Sequence, residues 1–389
     1  ARAAYQPNPL ALKRNVVLIV VDALRADRMG VYGYPRGTTP NLDRLAAAGV
    51  VRKPAQTRSA CSASVCGLVS LLTSKFVHEF SARPVSLHEI LKLHGYRIQL
   101  ILGGDHENFY GLKQLFGQVD DYHDGSHSRG AYSNDDGLVL ERVEALPRWD
   151  GAPVLIQFHL MSTHILGRRH KEHSPFSPAA SYAIPANRHP PLVDNFYDNG
   201  VTQADAVIHR ILGTLRDKGY LRETLVVITA DHGESLGEGG RYSHSQSVAE
   251  EAVRIPLLLV AYGYRASGGW REGIVASQVD VAPTIVAELG IAPARTWSGM
   301  ALQSAFTRPF TYYQEGYAAG LIDHRDARRP WKYWVDSKGA REHAYDLAAD
   351  PGETSNVISA VPEILKREWR LEYLRFQPGG TGLETTFTR

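Results

Sequence analysis

The 389-residue chain is short of three things, and each shortage narrows what it can be. It has almost no charge imbalance: 43 lysines and arginines stand against 41 aspartates and glutamates, a formal net charge of +2. Neither a nucleic-acid surface nor a strongly acidic partner is indicated. It has no apolar run of membrane-spanning length, no signal peptide, no internal repeat and no low-complexity tract. And it has only two cysteines, Cys61 and Cys66. Their spacing is wrong for a zinc knuckle. They admit two readings: a pair of free buried thiols, or a short-range disulfide around Ser64, which calls for an oxidising compartment. The first residue is Ala1 rather than Met. The expectation is therefore a periplasmic or otherwise extracytoplasmic protein, membrane-anchored only through a segment upstream of Ala1.

What is present is an ordinary globular composition, 43% hydrophobic and 22% charged, long enough to bury a full-sized core. Asn15–Asp22 is a continuous apolar run ending in a carboxylate, the pattern of a strand buried on both faces of a parallel sheet. Similar runs lie at Arg97–Leu102, Val154–Leu160, Leu225–Ala230 and Ile255–Ala261. Between them fall helical patterns. Ser86-Leu87-His88-Glu89 is a capping box that opens a helix ending at Gly95. Phe196–Gly219 carries one apolar stripe, and Asp280 is expected to cap a helix with Pro283 in its first turn. Strand and helix in alternation predict an α/β sandwich, a mostly parallel sheet between helices. Arg168–Asn199, rich in His and Pro, reads as a long surface loop, either a lid or an inert excursion. Beyond Ala305 the pattern changes to short antiparallel strands at Phe310–Gln314 and Lys332–Val335 and a helix at Glu363–Tyr373. The expected organisation is a catalytic domain over residues 1–305 and a small C-terminal α+β subdomain over 306–389.

In open α/β sheets, ligands gather at the carboxyl ends of the strands. Asp22 and Asp231 sit at two such ends; His232-Gly233-Glu234 follows Asp231, His244 comes shortly after, and His164 follows the strand run Val154–Leu160. Carboxylate oxygen with imidazole nitrogen suits a divalent cation such as Zn²⁺ or Mn²⁺. Singly, each has a plain structural reading, a cap or a satisfied core histidine, but Asp231-His232-Gly233-Glu234 directly after a buried strand points to metal. A second feature is the stretch Arg58–Ser64, where small hydroxyl residues give way to Leu68, Leu71 and Leu72 at helical spacing. A serine-rich helix start is often only a cap, yet a helix N-terminus also seats a phosphate or sulfate group.

Together these stretches resemble a known family. Asn15–Asp22 with Leu24-Arg25-Ala26-Asp27, Thr39-Pro40-Asn41-Leu42-Asp43-Arg44-Leu45, Leu71-Leu72-Thr73-Ser74, Asp231-His232-Gly233-Glu234, Arg254-Ile255-Pro256-Leu257 and Ala344–Asn356 closely resemble the sulfatase family of the alkaline phosphatase superfamily. The resemblance spans nearly the whole chain and implies that superfamily's fold and metal-dependent chemistry at an esterified anion. The nucleophile region departs from the sulfatase pattern. Cys61-Ser62-Ala63-Ser64-Val65 has the Cys and Ala of a formylglycine motif but Val65 in place of its Arg, and counting back from Leu71–Ser74 puts Ser64 at the family's nucleophile position. Ala23 replaces the second of the paired sulfatase aspartates, and Gly103-Gly104-Asp105-His106 replaces the Lys-Trp-His segment.

In these respects the chain is similar to phosphoethanolamine and phosphoglycerol transferases. What the resemblance implies is phosphoryl transfer with Ser64 as covalent nucleophile, by a transferase or a phosphodiester hydrolase. Asp22, Ser64, Asp231 and His232 would hold a divalent metal, zinc first, with manganese or calcium as alternatives. His164 and His244 would serve as acid and base, or join Lys75 and His78 at a second metal or the substrate. The substrate would be a phosphate or sulfate ester, lipid- or glycan-linked in some readings, and no nucleic acid is expected. The rival readings are a sulfatase with Cys61 as formylglycine and a non-catalytic binding protein on the same fold.

Overall fold

Asn15–Val21 is buried at all seven positions, and its side chains alternate between two cores. Val17, Ile19 and Val21 face one core with Tyr197, Val201, Ile208 and Ile211, while Val16, Leu18 and Val20 face the other with Leu68, Leu71, Leu72 and Ile285. That two-sided burial is the reason the run is apolar throughout rather than alternating. The strand lies at the centre of a seven-stranded sheet in a computed structural model. It describes residues 5–374, apart from 109–110, 128–131, 246, 270–272, 306–307, 327, 337 and 339–340.

Across the sheet the order is Val51–Arg52, Leu257–Tyr262, Thr224–Ala230, Asn15–Val21, Val154–Leu160, Arg97–Leu102 and Asp121–His123. Asn15–Val21 pairs parallel with both neighbours, Val20 opposite His159 on one side and Val21 opposite Ala230 on the other. Leu257–Tyr262 runs antiparallel to Thr224–Ala230. The apolar run expected at Ile255–Ala261 is therefore two strands. Arg254–Ile255 joins a separate three-stranded sheet with Gln56–Arg58 and Val275–Ser277. Pro256 has no N–H to contribute to a ladder and marks the break.

The helices cover both faces. Ser86 and Glu89 form the expected capping box, with Glu89 N–H donating to Ser86 Oγ at 3.2 Å and Ser86 N–H to Glu89 at 3.0 Å. The helix expected at Phe196–Gly219 begins earlier, at Pro190, and runs to Asp217. Pro190 and Pro191 read as breakers, but they occupy the first turn, where no N–H is needed. The loop expected to reach Asn199 therefore ends at His189. Asp280 precedes the helix Val281–Glu288 without capping it; its carboxylate accepts from the backbone of Ser277 and Met300 and pairs with Arg308.

A small lobe follows. Phe310–Glu315, Ala318–Asp323, Trp331–Asp336 and Arg341–Asp346 form an antiparallel sheet, and Glu363–Tyr373 packs Trp369 against Leu321 and Tyr333. Its anchor on the rest of the chain is a buried charge cluster. Lys332, fully buried, places Nζ 3.1 Å from Glu250 and 3.0 Å from Glu353, and Glu250 pairs with Arg58 at 2.8 Å. Burial would push the Glu250 carboxyl up, but the two cations outweigh it and hold it at about 2. Arg58 ends the strand that leads into Ser64, so the lobe is fastened to the stretch that carries the hydroxyl.

Candidate active site

Three chain segments converge at the carboxyl edge of the sheet. Asp22 directly follows the central strand and Asp231 follows its neighbour Thr224–Ala230. Ser64 opens the helix Ser64–Thr73, whose N-cap, Ala63, offers no side-chain cap. Ser64 Oγ lies 3.3 Å from Asp22 Oδ2 and 3.2 Å from His232 Nε2. The helix comes this close because its fourth residue is Gly67, where a Cβ would fall 2.4 Å from the Asp231 carbonyl oxygen.

His232 Nδ1 stands 2.7 Å from the Gly233 carbonyl and donates to it, which turns the Nε2 lone pair inward, 3.7 Å from both Asp22 Oδ1 and Asp231 Oδ2. Asp231 Oδ1 accepts from the backbone N–H of Ala23 at 3.0 Å and of His232 at 2.9 Å. Burial opposes ionisation of Asp231, yet His232, His159 and the Ala23 N–H hold its pKa well below the usual carboxylate range.

A second imidazole joins them. His159, near the end of Val154–Leu160, lies with Nε2 3.4 Å from Asp231 Oδ2 and 3.8 Å from Asp22 Oδ2, and its Nδ1 meets His106 Nε2 at 2.9 Å. Burial would lower its pKa, but the negative charge of Asp231 close by raises it instead. Ligand atoms of Asp22, His159 and Asp231 lie within 4.8 Å of one another. Sequence reading missed His159. The signal available was a polar residue at the exit of an otherwise apolar strand.

The donor set fits a divalent cation. Asp22 Oδ1, Asp231 Oδ2 and His159 Nε2 are all buried without a hydrogen-bond partner. Buried polar atoms rarely stay unpaired, and a bound cation would satisfy the two carboxylate oxygens at once. The backbone is strained on either side. Ala23, Ser243 and Ser245 all have positive φ, 61°, 71° and 65°, next to Asp22 and His244. Such left-handed residues cost on the order of 1–3 kcal/mol each and cluster at functional sites.

The cluster opens into a cavity of about 500 Å³. Ser64, His164 and His244 line it together with Asp105, His106 and Glu315, and no lysine or arginine is among its described lining residues. His164 and His244 face each other with ring centroids 5.6 Å apart. Their environments drive them in opposite directions. Burial lowers the pKa of His164. Burial also works against His244, but Glu234, 3.2 Å from its Nδ1, overrides this and raises it to about 9. Glu315 arrives from the C-terminal lobe; its carboxylate accepts from Ser62 N–H at 3.3 Å, and burial raises its pKa.

Other expectations need correction. Lys75 and His78 do not line the cavity: Lys75 Nζ approaches Ser298 Oγ at 3.3 Å and His78 stacks on Phe76. They lie beyond the far end of the ten-residue helix, which at 1.5 Å per residue separates them from Ser64 by about 15 Å. Cys61 is fully buried and outside the lining, its sulfur bonded to Cys66. The segment from Arg168 to His189 contributes no residue to the cavity lining. No helix among the described residues is long and apolar enough to cross a membrane.

Comparison with known proteins agrees with this geometry. Arylsulfatase A of Homo sapiens is 27% identical over 463 residues, covering 93% of this chain and 88% of that protein. Arylsulfatase K of Xenopus laevis is 32% identical over 185 residues, 43% of this chain, so the match spans about a third (34%) of that relative's length. The C-terminal periplasmic domain of EcEptC from Escherichia coli, solved in complex with Zn, has the same fold, with a TM-score of 0.70 and 19% identity over 82% of this chain and 95% of that one. The family model described as Sulfatase matches residues 14–291. The chain belongs to the sulfatase family, on an alkaline-phosphatase-like fold.

Proposed function

We propose that the protein is a metal-dependent phosphoryl-transfer enzyme that uses the unmodified Ser64 hydroxyl as its covalent nucleophile on a monoanionic phosphodiester. The observation that carries this reading is the position of Ser64 Oγ, between Asp22 and His232 at the mouth of a helix and open to the cavity. Cys61, the formylglycine candidate, is outside the cavity lining and has no free thiol. The absence of lysine and arginine from the described lining favours a substrate with a single negative charge over a dianionic monoester.

Asp22, Asp231, His232 and Ser64, with His159 added to the original set, are the residues that would hold the divalent cation. A cation bound there lowers the pKa of the serine hydroxyl and neutralises charge on the transferring group. Ser64 Oγ attacks phosphorus while its proton passes to the carboxylate side, where Asp22 Oδ2 is the nearest acceptor at 3.3 Å. Backbone N–H groups of the first helical turn face the charge that develops. His244, kept protonated by Glu234, gives a proton to the departing alkoxide. In the second step His164, kept neutral by burial, takes the proton of the incoming water or alcohol. Two successive in-line displacements bring the incoming oxygen to the place the leaving oxygen vacated. A proton donor and a proton acceptor on one wall, with pKa values driven apart, suit that sequence.

The disulfide agrees with an extracytoplasmic location, and the donor alcohol, lipid- or glycan-linked, fills the cavity beyond the cluster. The test is a side-by-side assay of metal-loaded enzyme on aryl phosphodiester, aryl phosphomonoester and aryl sulfate, with an aldehyde-reactive probe on the intact protein. Phosphodiester turnover without aldehyde labelling is expected. Preferred sulfate turnover with a labelled Cys61 would install the formylglycine sulfatase suggested by the arylsulfatase relatives, and silence on all three would install the binding-protein reading.

A further inference from the structure

Ser64 Oγ is poorly held by its own contacts. Both are long, 3.2 and 3.3 Å, at the outer edge of hydrogen bonding for a hydroxyl. Its helix begins without a side-chain cap. What fixes the hydroxyl is therefore the backbone turn from Cys61 to Cys66, and that turn is closed covalently by the Cys61–Cys66 disulfide, which spans Ser64. The turn is also held by hydrogen bonds: Ser59 Oγ donates to the Cys61 carbonyl at 2.6 Å, Ser62 N–H donates to Glu315 of the lobe at 3.3 Å, and Ser62 C=O accepts from Ser245 N–H, beside His244, at 2.8 Å. Cys61 is fully buried, whereas Cys66 is half-buried, so the bridge can be attacked at one sulfur.

We propose that Cys61 and Cys66 are positioning residues for Ser64 and that turnover requires the bond between them. The enzyme is then silent wherever thiols are kept reduced and becomes active on oxidation. This rests on Ser64 being the nucleophile. Neither cysteine touches substrate in this scheme; the bridge acts only through the serine it encloses. Displacement of a nucleophile by about 1 Å costs on the order of a hundredfold in rate.

The experiment uses the metal-loaded full chain and a phosphine reductant, since a dithiol would compete for the metal. The phosphine attacks Cys66 Sγ, the S–S bond breaks, and its electron pair leaves on Cys61 Sγ, which takes a proton. Water then displaces Cys66 as a second thiol and leaves the phosphine oxidised to its oxide. Complete reduction, counted by thiol labelling, is expected to lower kcat by roughly ten- to a hundredfold. KM should stay within about twofold. Metal content and far-UV circular dichroism should be unchanged, and oxidised glutathione should restore kcat. A Cys61→Ser/Cys66→Ser double variant should match the reduced enzyme and ignore the reductant. An unchanged kcat after full reduction overturns the proposal. So does a loss accompanied by unfolding or metal release, which would make the bridge merely structural. Ser64→Ala is assayed in parallel: if it turns over normally the serine reading itself has failed, and if it is dead while reduction does nothing, only the positioning role has.

Discussion

Replacing Ser64 by alanine separates catalysis from stability. The side chain supplies one hydroxyl with two contacts, at 3.2 and 3.3 Å, and is only half-buried. A net hydrogen bond is worth about 0.5–1.5 kcal/mol and weakens at such lengths, so the variant should lose no more than about 1 kcal/mol of stability. For a chain of this size that is a fall of about 2 °C or less in Tm. Turnover should behave quite differently. Without an oxygen to form the covalent intermediate, only binding and electrostatic stabilisation of a direct attack by water remain. The expected loss in kcat is at least about 10⁴-fold, equivalent to about 5.5 kcal/mol of barrier. The assay is steady-state hydrolysis of an activated aryl phosphodiester by metal-loaded wild type and variant. Thermal melts and metal analysis of the same preparations accompany it. Acid-quenched wild type should also yield a phosphorylated peptide containing Ser64, absent from the variant. A Ser64→Ala protein that keeps its fold and metal and turns over within tenfold of wild type would refute the nucleophile assignment.

Three further outcomes are expected. Exhaustive chelation should abolish turnover, and Zn²⁺ or Mn²⁺ should restore it better than Ca²⁺, because the cluster mixes imidazole with carboxylate; recovery with Ca²⁺ alone would contradict the ligand assignment. His244→Gln should lower kcat by about 10²-fold or more on esters of unactivated alcohols but far less on nitrophenyl esters, which leave without a proton; equal losses on both would remove His244 as the acid. Lys332→Met should strip the compensating charge from buried Glu353 and Glu250 and cost about 3–5 kcal/mol at neutral pH. The sign with pH follows from the Glu250 carboxyl held at about 2. The stability from its ion pairs is complete above the unfolded carboxyl's value of about 4.3 and is lost as pH falls through the folded one, so the gap between variant and wild type in denaturant melts should narrow on acidification.

The central strands, the capping box and the Asp231-His232-Gly233-Glu234 cluster were legible because each is written in a local pattern. A strand buried on both faces must be apolar along its length, and a carboxylate at its exit stands out against that background. Ser64 was singled out by counting back from Leu71–Ser74 against the pattern of the resembled family, and the helix Ser64–Thr73 places it at the N-terminus. The same helix explains the error over Lys75 and His78. They are near Ser64 in sequence, but a rigid ten-residue rod carries them to its opposite end. The helix start at Pro190 was hidden for a different reason, since proline is a breaker in the interior and a favoured residue in the first turn, and the sequence does not label which applies.

Glu315 and His159 show where local pattern stops. His159 enters the cluster only because Val154–Leu160 pairs in register with Asn15–Val21, setting His159 opposite Val20 two residues before Asp22. Glu315 needs a longer chain of causes. The Arg58–Glu250–Lys332 charges seat the lobe, Gln314 N–H then donates to the Ala60 carbonyl at 2.9 Å, and that one backbone bond carries the next residue's carboxylate to Ser62. No window of sequence around residue 315 contains this information, because it resides in a contact with residues about 250 positions away. Asp22, His159 and Asp231 sit on the main sheet, whereas the turn presenting Ser64 is set jointly by the sheet, the disulfide and the lobe. A change at the lobe junction can therefore reach Ser64 without touching Asp22, Asp231, His232 or His159.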